Sequence, residues 1–97
     1  MHRTAGYSES WELTYLIEQL REVLAAEPLP VGEVVQELEE VLSRLVLRNQ
    51  RLRVLHRLAK TESANEHATA IRFALEQLDQ ELQHQLPGLL ERLRASK

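Results

Sequence analysis

Glu81-Leu82-Gln83-His84 is the only E-x-x-H spacing in the chain, and it sets a carboxylate and an imidazole one turn apart on a helix face. Di-iron carboxylate bundles use two such pairs plus two further Glu residues. Here there is one pair, and Glu81 and His84 flank the apolar stripe marked by Leu82 instead of lying on it, so no metal is expected. His56-Arg57-Leu58-Ala59-Lys60 offers an imidazole with nearby cations, the chemistry of a phosphoryl acceptor whose product is steadied by positive charge. Histidine phosphotransfer modules follow the His with a Lys and a small residue. In this chain the Lys comes one residue late and no Gly follows, so His56 phosphotransfer is an alternative reading. A second alternative is nucleic-acid binding through the basic run Arg44 to Lys60, which holds Arg44, Arg48, Arg51, Arg53, Arg57 and Lys60 and no acid. That run has no aromatic residue for stacking on bases. The glycines Gly6, Gly32 and Gly88 are too far apart for a phosphate loop. Hydroxyl side chains sit near helix ends without a His–acid constellation, so no catalytic residue, cofactor or enzymatic activity is expected.

Composition narrows the class further. The chain has 97 residues, 43% hydrophobic and 28% charged, enough for one small domain with a modest core. Cys is absent, which excludes disulfides, thiolate–metal sites and a thiol nucleophile and fits a reducing cytoplasm. The first seven residues lack the apolar centre of a signal peptide. No apolar run approaches the ~20 residues of a membrane span. A net charge of −3 gives no global attraction to nucleic acid or anionic lipid.

Abundant Leu, Glu, Arg and Gln with only three Gly and three Pro predict an all-α fold of three helices. After a flexible tail over 1–8, the first helix spans about 9–26, opened by Ser8 or Ser10 and closed by Pro28-Leu29-Pro30. Its stripe is Leu13, Leu16, Ile17, Leu20, Val23 and Leu24, with Trp11 and Tyr15 at the edge. The second helix spans about 31–60 and is apolar over more than one face, which marks it as the central helix. Ser63-Ala64-Asn65-Glu66 reads as a capping box for a third helix over 63–86, with a kink or restart at Pro87 continuing to 95.

The second and third helices are expected to pair as a long antiparallel hairpin. With the turn near Ser63, facing residues have numbers summing to about 127, which sets Leu52 on Leu75, Leu45 on Leu82, Leu42 on Leu86, Leu38 on Leu89 and Val35 on Leu93. Asn49 against Leu78 is the one mixed pair. The same register places Arg48 near Asp79 and Arg51 near Glu76, as exposed pairs worth ~0.2–1 kcal/mol each. Asn49 and His56 share a heptad position with Val35 and Leu42, so they either fix register or face outward.

The first helix, about 27 Å long, is shorter than the second, about 45 Å. Lying antiparallel to the second, with Leu24 by Val34, Leu20 by Leu38, Ile17 by Val41 and Leu13 by Leu45, it gives out near Arg48. The tip beyond is expected to be a bare two-helix hairpin with spare apolar surface, a poor monomer. Leu47, Val54 and Leu58, rimmed by Arg51 and Arg57, form the expected partner-binding patch. The expected function is that of a non-enzymatic interaction module, a small adaptor, chaperone or regulator. Its expected partner is a second copy completing a helical bundle as a homodimer, or another helical protein, and not nucleic acid or membrane.

Overall fold

The computed structural model describes residues 7–26, 28–58 and 65–96. Its helices are α1 (Trp11–Ala25), α2 (Val34–Leu58) and α3 (Asn65–Ala95), with no strand among the described residues. Ser10 caps α1. Its Oγ accepts from the Leu13 amide at 3.4 Å, and its carbonyl accepts the Thr14 amide and hydroxyl at 3.1 Å each. This occupies groups that a helix start otherwise leaves without partners. The turn expected around Thr61 to Ser63, including the Ser63 half of the capping box, lies outside the described residues.

Two expected boundaries change for backbone reasons. The second helix begins at Val34 and not at Val31, because the chain first makes a tight turn in which the Val35 and Gln36 amides bond back to the Gly32 and Glu33 carbonyls at 3.1 and 3.2 Å. Gly32 has φ +90°, a left-handed conformation that a Cβ disfavours. Of the kink or restart expected at Pro87, the restart is absent: the third helix runs unbroken through Pro87 and Gly88. Leu86, Leu89, Leu90 and Leu93 are all buried on either side, so packing overrides local propensity, while Pro87 and Gly88 face solvent. The two glycines should therefore respond oppositely to Ala. At Gly88 an added Cβ meets nothing within 4 Å, and Gly88→Ala should stabilise by about 0.5–1 kcal/mol. Gly32→Ala should destabilise by about 1–2 kcal/mol. Urea midpoints of the two variants test this pair.

α2 and α3 form the antiparallel hairpin and share the most extensive contact. Arg48 meets Asp79, Arg44 meets Glu81 and Gln85, and Glu37 meets Arg92. Each of these pairs falls within two of the predicted sum of about 127. α1 lies along α3 and runs parallel to it, held at its rim by Glu12 with Gln83 at 3.0 Å and Gln19 with Arg94 at 2.7 Å. This corrects two expectations. α1 packs on α3 and touches α2 little, so its expected partners along α2 are not its main seat. The central helix is α3 and not α2: Leu75, Leu82, Leu86, Leu89 and Leu93 are fully buried, whereas Leu42, Val46, Leu47 and Val54 of α2 are exposed.

The core has two parts. The larger joins Leu13, Leu20 and Val23 of α1 to Val34, Leu38 and Val41 of α2 and to the α3 leucines from Leu78 to Leu93. The smaller, beyond the end of α1, holds Leu55, Ala68 and Leu75 with Leu52, Leu58 and Ile71 packed against them. Tyr7 is buried in this second cluster. The expected bare tip is thus partly covered from within the chain, and the expected loose tail over 1–8 is anchored at least at Tyr7. The molecule measures 50 × 25 × 19 Å with a radius of gyration of 15.4 Å, against about 13 Å for a compact chain of this length. It is a rod with a large ratio of surface to core. No helix among the described residues is long and apolar enough to cross a membrane.

Candidate functional site

Arg48 stands at the heptad position of Val41 and Leu55, both fully buried. Asp79 likewise falls between Leu75 and Leu82 on the buried stripe of α3. The fold therefore drives both charges inward, and Arg48 is 5% and Asp79 7% exposed. The anticipated exposed pair is instead a buried one. Arg48 Nε donates to Asp79 Oδ1 at 2.7 Å, and Tyr7 Oη donates to Asp79 Oδ2. Arg48 Nη2 donates to Tyr7 Oη at 3.3 Å and to Glu9 Oε1 at 3.0 Å. Both carboxylate oxygens are thus occupied, and no buried side-chain polar atom among the described residues lacks a partner.

The electrostatics follow from this enclosure. Burial pushes the Tyr7 hydroxyl up from its ordinary value of 10.0, and its hydrogen bond to Asp79 adds to the rise. For Arg48, burial alone would lower the value, but the hydrogen bond and Coulombic attraction of Asp79, with Tyr7, raise it instead. Both groups keep their protons in the folded state at pH values where the unfolded chain begins to lose them. Stability should therefore be unaffected by Tyr7 up to about pH 10 and fall above it as the unfolded Tyr7 ionises. Denaturant midpoints from pH 8 to 11 should show this fall in the parent and a smaller one in Tyr7→Phe (~1-unit steps suffice). Equal slopes would contradict it.

The four side chains of this layer satisfy one another, with Glu9 and Arg48 bordering the groove between α1 and α2, and together they fasten the N-terminal segment, α2 and α3 at one level. Sliding the hairpin by one turn would leave two buried charges unpaired, so the layer also selects register.

Large apolar side chains lie open on every helix, with Trp11 and Tyr15 on α1, Leu29 and Val31 ahead of α2 and Phe73 on α3, but α2 carries the most of them, four within its length. Of the sequence-predicted patch, Leu47, Val54 and Arg57 are exposed, Arg51 is half-buried, and Leu58 packs on the second core cluster. Leu58 is therefore a residue of the fold as well as of the patch. On the other flank of α2, Leu42 and Val46 are exposed, Val46 at 57%, and sequence reasoning did not place them in a patch. Their signal was the apolar breadth of α2 itself. Leu42 and Asn49 also line a groove of about 510 Å³ between α1 and α2, with Ile17 and Leu24 across it. The groove exists because α1 chose α3 as its seat.

The polar candidates are dispersed. Asn49 and His56 both face solvent. Glu81 pairs with Arg44 at 3.8 Å and His84 is exposed; the described residues hold no cluster of three or more metal-binding side chains. Within the basic run, Arg44 and Arg48 are engaged by Glu81 and Asp79, and Arg53 and Arg57 face water. Lys60 lies outside the described residues. Compared with known protein families, curated proteins and solved structures, the chain matches none.

Proposed function

We propose that this chain is a non-enzymatic interaction module that presents one side of a helical hairpin, the α2 face, to another helix. The observation that supports this is the division of labour between its two long helices. α3 buries its leucines, whereas α2 leaves Leu42, Val46, Leu47 and Val54 open to water along one continuous rod. Scattered single apolar residues are ordinary on protein surfaces, but Leu42 and Val46 on one flank of α2 and Leu47 and Val54 on the other, all within four turns, make its outer side more apolar than a merely solvated face. The groove between α1 and α2 extends the Leu42 flank.

A photo-crosslinking side chain placed at Val46 or Val54, in cells of the source organism, tests the reading. Adducts, whether to the same chain or to another protein, are expected at those two positions and not at Gln80 or His84, which are exposed on α3. Equal yields at all four positions, or none at any, would remove the basis for the proposal.

A further inference from the structure

We infer that the occupant of the Leu42–Val46 flank is a second copy of this chain, with the two α2 helices antiparallel across a two-fold axis at Val46. This rests on the interaction-module reading and names its partner. Charge is segregated along α2: Glu37, Glu39 and Glu40, with Glu33 in the turn before the helix, precede Arg44, and Arg48, Arg51, Arg53 and Arg57 follow it with no acid between them. Part of that charge is used inside the chain, by Glu37 with Arg92, Glu40 and Glu81 with Arg44, and Asp79 with Arg48. Glu39 and Arg53 are exposed and make no ion pair among the described residues.

These two stand one heptad, or two helical turns, either side of Val46, on its own face of the helix. A two-fold axis through Val46 therefore lays Glu39 of each copy against Arg53 of the other, twice, with Val46 on its own mate and Leu42 over the Gln50 stem. A parallel pair would set Glu39 on Glu39 and Arg53 on Arg53. A pairing of hairpin tips, centred near Val54, would oppose two basic halves. Only the antiparallel arrangement about Val46 covers the exposed valine and matches the free charges together. The face is self-complementary, so the assembly closes at two copies and does not propagate. Residues 35–57 on each side give a seam about 33 Å long.

The chain has no cysteine, so single-cysteine variants report cleanly. Val46→Cys should give disulfide-linked dimer under mild oxidation, and Gln80→Cys should not. Sedimentation of the full chain should show dimer. Glu39→Arg and Arg53→Glu should each weaken it by roughly tenfold or more, and the double exchange should restore most of the loss. Because both side chains face water, circular dichroism should show intact folds. A monomer up to roughly 1 mM, or a dimer indifferent to both exchanges, overturns the inference. If monomer behaviour accompanies Val46 and Val54 adducts to a foreign protein, the second-copy inference falls and the interaction-module reading stands. If neither dimer nor adducts appear, both fall.

Discussion

Asp79→Asn is expected to destabilise the chain by about 3–5 kcal/mol, the usual cost of leaving one member of a buried ion pair without its counter-charge. The substitution keeps the shape of the side chain, so the loss reports charge and hydrogen bonding, not a cavity. Arg48 would then face a neutral amide in a largely buried place, with only the half-open Glu9 to balance it. A domain of this size has a total stability of ~5–15 kcal/mol, so the variant approaches the limit of folding. Urea unfolding followed by circular dichroism measures it. Arg48→Met combined with Asp79→Leu should recover most of the loss, because an apolar pair of similar volume avoids the desolvation cost altogether. Glu9→Gln should cost little, since Glu9 lies at the wet end of the network. A double variant no better than the single would show that the layer contributes something other than paired charge.

Tyr7 gives the second large effect. Tyr7→Ala should cost about 3–5 kcal/mol, as for an aromatic ring removed from a core. The ring is the chain's own cover for Leu55, Ala68 and Leu75, and its hydroxyl is one of two donors to Asp79. Tyr7→Phe divides these roles. It keeps the ring and should cost about 1–3 kcal/mol through the carboxylate left one donor short. The ratio of the two losses, read from the same unfolding curves, separates ring burial from the hydrogen bond. A Tyr7→Ala variant as stable as the parent would mean that the N-terminal segment does not hold the tip.

Much of the architecture could be read from residue spacing, and the errors have identifiable physical origins. The hairpin register was legible because two leucine stripes of the same period mesh in few ways, and Arg48 on Asp79 follows from it directly. Their burial was legible too, since Arg48 repeats the positions of Val41 and Leu55. Treating charged residues as surface residues concealed it. The rank of α2 as central helix failed because counting apolar residues does not say which of them find neighbours; α3 has a narrower stripe that is almost wholly buried, and α2 a broader one that is half open. Tyr7 was invisible for another reason. It is a single aromatic in a polar segment with no periodicity, and its role depends on where the start of α1 lands against the hairpin. Among the exposed apolar residues of α2, Leu47 and Val54 were anticipated as spare, whereas Leu42 was expected to face Leu86 across the hairpin and Val46 was given no partner.

The two apolar clusters meet at a polar waist formed by Arg48 and Asp79. Cooperativity in a small domain is carried by continuous apolar packing, and a charged belt across a rod interrupts it. Amide hydrogen exchange should accordingly divide the molecule: protons around Leu52–Leu58 and Ala68–Leu75 escape through partial openings, while those of Leu82–Leu93 exchange only when the whole chain unfolds. The end beyond the belt then loosens by itself while the rest of the rod stays folded.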